Sequence, residues 1–434
     1  MQQLYVGVGR AEITPPMGTR LQGYSPAPVC DAVNDPVYVT VFAFAYGQTR
    51  AILASADMCN MRGSINDKAR QALSRGSGVP FDHCIVTCTH THSGPHSGHP
   101  EDEPFEFVMD LFTPAAEKAA AAAVADLRPA VMGVGTTQSQ IAVNRRQIDE
   151  AGKVILGQNP YGSYDPTMTV ISFREPDGTP IGSFVHYGCH NTASGKITTV
   201  TRDWCGVAKD RLEEVAGGIV AFINGCAGDC GPRLPNGRTT GDLEMALAFG
   251  EKAAVDFIQA YKNITEWIEP DLRVLPADVV LPIEQPSSLD ELRAKVAAMG
   301  DPEVMRAAKT MKWAFYCHLM ERIEYLESGK EPPKEQAIPH VALALGPVAL
   351  ITLPFEPFSI ITLRIREFSP FKYTLCAGYA NGALSYFPSM DQMVRGGYEI
   401  NMFKNINLFP FTEDAENHYV RGCLELLRNL DAQQ

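Results

Sequence analysis

Short apolar runs of strand length alternate with stretches of helical periodicity along nearly the whole chain. That alternation limits the fold to an α/β class of mixed sheets flanked by helices. Val37 to Tyr46 and Arg50 to Ala56 read as a hairpin turning at Gly47-Gln48. Cys84 to Cys88, Val131 to Val134, Thr167 to Phe173 and Ile181 to Tyr187 read as further strands. Val341 to Pro354, broken by Gly346-Pro347, reads as two core strands. Ile65 to Ser74, Pro114 to Leu127, Val207 to Val215 and Leu243 to Tyr261 read as helices. Residues 39–57 and 341–356 are both strand, turn, strand, carboxylate. This is either a duplicated hairpin or the ordinary grammar of hairpins. Residues 287–336 carry helical periodicity twice and open on Ser287-Ser288-Leu289-Asp290-Glu291, as a helix start should. They form a lid, an oligomer contact or a plain helical connection. With no low-complexity linker, residues 1–434 are expected to be a single large domain.

The charge balance, 37 − 50 = −13, comes without a Lys/Arg cluster and argues against nucleic acid or an anionic membrane as partner. The N-terminus has neither a basic region nor a long apolar one, and no run of about 18 apolar residues occurs, so neither a signal peptide nor a spanning helix is expected. The 11 cysteines are odd in number and mostly lie in apolar segments, as reduced thiols of a cytoplasmic protein would. Cys226 and Cys230 have no second pair at zinc-ribbon spacing.

Chemistry concentrates where strands give way to loops. Thr89-His90-Thr91-His92-Ser93-Gly94-Pro95 follows the Cys84 to Cys88 strand, and side chains two apart on a strand share a face. Two imidazoles aimed into one space suit a metal; a pair of surface histidines is the bland alternative. His96 and His99 follow among Gly, Ser and Pro. A second segment ends its strand on His190, with His186 on the same face; only one is expected to be a ligand. Asp203 follows, either accepting the second N–H of a ligating imidazole or capping a helix. Asp229 lies in a Gly-rich loop after another strand, as an outer partner or a turn former. Glu356 stands between prolines and apolar residues and needs a metal or an arginine as partner. Tyr386 and Tyr398 close the series and, alone, read as core or interface aromatics.

In this order the segments resemble the catalytic domain of the neutral (non-lysosomal) ceramidase family. Gly7-Val8-Gly9-Arg10-Ala11-Glu12-Ile13-Thr14 is similar to its opening motif, with Glu12 in place of Asp. Thr89 to Pro95 matches T-H-T-H-S-G-P without change, and Asn144-Arg145 is similar to its N-R pair. Cys189-His190-Asn191-Thr192 is similar to its H-P-T or H-G-T segment, and since the family places an Asp about 14 residues after that histidine, the resemblance selects His190, with Asp203 at 203 − 190 = 13, over His186. Leu353 to Phe358 resembles L-P-G-E-P-F with Phe355 for Gly. Gly378 to Pro388 and Tyr398-Glu399 resemble the closing G-x-x-N…Y…Y-E pattern.

The resemblance implies zinc ligands His90, His190, Glu356 and Tyr386, with His92, Arg145 and Tyr398 lining the site. Asp203 and Asp229 would lie behind the ligands. Three features depart from the family: Gly231 replaces the serine of its G-D-x-S-P segment, the family's C-terminal domain does not follow, and no secretion signal is read. The expectation is a cytoplasmic, zinc-dependent hydrolase that cleaves an amide bond in a small soluble substrate. Cleavage of an ester, lactone or glycosidic bond, or non-catalytic binding, are the alternatives.

Overall fold

The computed structural model describes residues 3–97, 104–286, 288–308 and 311–433. Three sheets each contain the same four-strand pattern. The first uses Tyr5–Glu12, Tyr38–Tyr46, Thr49–Ala56 and Cys84–Cys88. The second uses Val131–Gln138, Thr167–Arg174, Pro180–Tyr187 and Ile219–Asn224. The third uses Leu272–Pro282, Glu335–Leu345, Val348–Leu353 and Tyr373–Gly378. In every unit the first three strands run antiparallel in sequence order. The fourth then lies parallel to the third, as it must after a helical crossover. The crossover helices are Gly63–Ser77, Asp203–Ala216 and Ser359–Phe368. An outer helix follows each fourth strand: Pro104–Ala125, Leu243–Lys262 and Ala415–Asp431. The two stretches that echo each other in sequence, 39–57 and 341–356, are thus the hairpins of the first and third units, and 167–190 is their counterpart in the second.

Strand alternation sorts the side chains between two kinds of core. Phe42, Phe44 and Leu53 of the first sheet, Ile171, Phe173 and Phe184 of the second, and Leu343, Leu345 and Leu350 of the third meet in one central cluster. The opposite faces pack on helices. Val41 and Ala43 meet Ala116, Ala119 and Ala120; Val170 and Val185 meet Trp204 and Phe257; Ala342 and Ile351 meet Ile361 and Leu427. Glycine sets how closely the outer helices approach. A Cβ on Gly9 would stand 2.1 Å from the Ala119 carbonyl oxygen, and one on Gly135 2.0 Å from that of Ala260. In the third unit the glycine is on the helix instead: a Cβ on Gly422 would meet Val279 Cγ1 at 2.5 Å.

Between the first two strands of the third unit come helices Leu289–Ala298, Pro302–Ala308 and Met311–Glu327. Ser288 caps the first of them, accepting from the Glu291 N–H; Ser287 lies outside the described residues. The insertion has its own small core of Leu292, Leu319 and Ile323. It rests on the body through Met311, Ala314 and Phe315, which pack beside Phe358, Tyr386 and Met402. Among the described residues no helix is long and apolar enough to cross a membrane.

Candidate metal centre

The three parallel strand pairs end on Ala56/Cys88, Tyr187/Asn224 and Leu353/Gly378. Three residues beyond each third strand (56 + 3, 187 + 3, 353 + 3) stand Cys59, His190 and Glu356, all buried at one end of the central core. His90 joins them from two residues beyond the first unit's fourth strand. His90 Nε2 lies 3.5 Å and His190 Nε2 3.6 Å from Glu356 Oε2. Ligand bonds of about 2.1 Å in a tetrahedron put donor atoms roughly 3.4 Å apart, so this spacing is that of a cation's first shell.

Hydrogen bonding fixes which nitrogens are free. His90 Nδ1 donates to the Cys59 carbonyl at 2.7 Å, and His190 Nδ1 to the Ala227 carbonyl at 2.7 Å. Each ring therefore carries its proton on the far side and turns the Nε2 lone pair inward. Among the described residues, His190 Nε2 and Glu356 Oε2 are buried without a hydrogen-bond partner. Burial holds His90 down at about 3 and His190 well below the usual histidine range, so both rings are neutral. Burial pushes the Glu356 carboxyl up. A carboxylate and two lone pairs crowded in this way repel one another unless a cation lies between them, so the residues fit a metal. Cys59, His90 and His92 also group together, but His90 Nδ1 on the Cys59 side is already a donor, which favours the His90/His190/Glu356 set.

Tyr386 opposes the upward push on the Glu356 carboxyl, and the two residues are direct partners in a short parallel bridge. Arg145 Nη2 donates to Tyr386 Oη at 3.0 Å. Tyr398 sets its ring edge-on to Tyr386 at 5.5 Å and is 41% exposed, placing it at the rim. His92 Nε2 is 3.2 Å from His90 Nε2, and burial holds His92 well below its usual range. His90 and His92 come together as expected, though not by strand alternation. The strand ends at Cys88, and His90 takes a left-handed backbone with φ of 66°. Its ring stacks on Tyr379 at 4.0 Å, itself at φ of 55°. Bulky residues in that region signal imposed strain.

Asp203 does not accept from the His190 ring. Its carboxylate takes the backbone N–H groups of Ala193, Ser194 and Trp204, because the His190 Nδ1 proton is already claimed by loop carbonyls. Asp203 thereby braces the loop behind His190. Asp229 caps the third unit's crossover helix at the Ser359 N–H, accepts from Asn144 Nδ2, and its carbonyl accepts the Arg145 N–H. Burial pushes its carboxyl up to about 6. His186 points elsewhere, to the Cys376 carbonyl. His96 is half-buried with its N–H on the Arg20 carbonyl, and His99 lies outside the described residues. A Cβ on Gly231 would come within 2.6 Å of Thr239 Cβ, so Thr239 fills the space a serine would need.

Three contributors escaped the sequence reading. Glu399 is fully buried and forks between Arg145 at 3.0 Å and Arg146 at 2.5 Å, holding the guanidinium that reaches Tyr386. Its only signal was its place after Tyr398. Cys59 works through its carbonyl, which no sequence pattern displays. Tyr24 lies edge-on to His92 at 5.1 Å.

No protein-family model matches the chain, and no curated protein matches it. Solved structures do match, two ceramidases among them. The chain superposes over 100% of its length on neutral ceramidase from Pseudomonas aeruginosa, with a TM-score of 0.73, 18% identity and 75% of that chain covered. A ceramidase solved in complex with C2 gives a TM-score of 0.74 at 16% identity, with 100% of this chain and 76% of that one covered. The fold is therefore that of neutral ceramidase over the part of those chains that this one spans.

Proposed function

We propose that this chain is a zinc-dependent hydrolase that cleaves an amide bond in a small soluble substrate. The observation that carries the reading is the convergence of two neutral, inward-facing Nε2 lone pairs on a buried carboxylate oxygen that has no protein partner. His90, His190, Glu356 and Tyr386 would hold the zinc, a nitrogen and oxygen set that also suits manganese, iron or nickel. When bound, the metal supplies Lewis acidity that polarises a carbonyl and makes water nucleophilic near neutral pH.

The remaining work falls to side chains. Arg145, fixed by Glu399, and Tyr398 offer donors to the oxyanion that develops when water attacks the carbonyl. Such a donor contributes about 2.7–4 kcal/mol in known cases. His92 is an ionisable group beside the ligands, with Nε2 3.2 Å from His90 Nε2. It takes the proton released by the attacking water and passes it to the leaving nitrogen. The serine missing at Gly231 has no part in this scheme.

Elemental analysis of wild type, His90→Ala and Glu356→Ala is the test. About one zinc per chain in wild type, lost in both variants, followed by amine release from an amide panel, supports the reading. A wild type that holds no metal after reconstitution ends it.

A further inference from the structure

The segment before Tyr24 is laid directly over His92. Leu21 bridges Pro95, the Gln22 N–H donates to the Gly94 carbonyl at 3.1 Å, and Gln22 Nε2 donates to Asn60 Oδ1 at 2.9 Å. Gly23 sits at φ of 118°, and a Cβ there would be 2.3 Å from His92 Cγ. Only glycine lets the backbone come this close to the ring. The next residue is Tyr24, whose ring meets His92 at 75°.

The Tyr24 hydroxyl is buried and has no hydrogen-bond partner among the described residues, and the same holds for His92 Nδ1. His92, on which the Tyr24 ring packs, lies 3.2 Å through Nε2 from His90 Nε2, which places the phenol at the same end of the core as the metal centre. A buried hydroxyl left unpaired costs about 1–3 kcal/mol. Phenylalanine would provide the same ring contact without that cost. We propose that Tyr24 is a further substrate-touching residue, whose hydroxyl donates a hydrogen bond to an oxygen atom of the molecule bound beside His92. This rests on the hydrolase reading. It assigns the N-terminal loop to substrate recognition, where the four ligands and Arg145 all come from segments after strands or within them.

The test compares wild type with Tyr24→Phe, both loaded with cobalt and titrated with acetohydroxamate, following the visible cobalt spectrum. Metal content and thermal midpoint are measured alongside. The expected result is equal metal, an unchanged or higher midpoint, and acetohydroxamate binding weakened about 2- to 12-fold, the worth of one neutral hydrogen bond. On amide substrates kcat/KM falls by a similar factor. Equal metal with unchanged acetohydroxamate affinity overturns the role of Tyr24 and leaves the hydrolase reading standing. A clear drop in midpoint also overturns it, since the hydroxyl would then be serving the fold. Absence of metal from both proteins removes the hydrolase reading and the proposal with it.

Discussion

The second and third units put a side chain at the same address, three residues past the third strand, and use opposite chemistry there: imidazole at His190, carboxylate at Glu356. The first unit has Cys59 at that address and offers its candidate ligand, His90, from the end of the neighbouring strand. Cys59 still serves the site, because its carbonyl accepts the His90 Nδ1 proton. The repeated scaffold therefore fixes where groups arrive. What each group does depends on whether side chain or backbone faces the centre.

Removing an addressed side chain should have the largest effect. His190→Ala or Glu356→Ala is expected to take bound metal from about one per chain to none by elemental analysis. That exceeds the roughly 10- to 100-fold loss of affinity typical of an outer partner. Next comes Glu399→Ala, which strands two buried guanidiniums. A loss of about 3–5 kcal/mol is expected in denaturant unfolding.

Smaller effects separate the central site from the rest of the core. His186 and His340 are buried away from the centre and held down at about 4. The unfolded chain takes up their protons first as pH falls. Their contribution is complete above about 6.5 and is lost on the way down to about 4, at no more than about 1.4 kcal/mol per pH unit each. Asp229, raised to about 6, works in the opposite direction and offsets part of the loss between roughly pH 4 and 6. Unfolding free energies of metal-free protein at pH 7 and pH 5 should show the net fall, and His340→Gln should make it shallower. Gly135→Ala drives a methyl into the outer helix backbone and should cost about 1–3 kcal/mol. Least of all, Cys59→Ala should leave metal content unchanged, because the carbonyl remains. Loss of metal in that variant would make the thiol a ligand and break the comparison.

Much of the candidate site was legible because the grouped residues sit in short runs where apolar strands stop. Thr89 to Pro95 and Leu353 to Phe358 show polar residues abruptly following buried ones. The hairpin echo between 39–57 and 341–356 was legible for the same reason. Its third copy was not, since 167–190 ends on histidine in place of a carboxylate. Asp203 lies behind His190, but spacing shows that two residues are near, not which N–H each one takes. Glu399 and Tyr24 act across long sequence separations, where only folding reveals the partner.

The shared central core also bears on how the protein assembles. Each sheet buries one face only against the other two, and the candidate ligands His90, His190 and Glu356 come from all three units. No single unit carries a complete coordination sphere, so the centre exists only after the last sheet docks. A cation bound there would stabilise the docked state alone, by about 2.7 kcal/mol at a hundred times its dissociation constant. Metal affinity would then report the integrity of the whole three-way junction, and opening of any one layer would empty the site before the other two had unfolded.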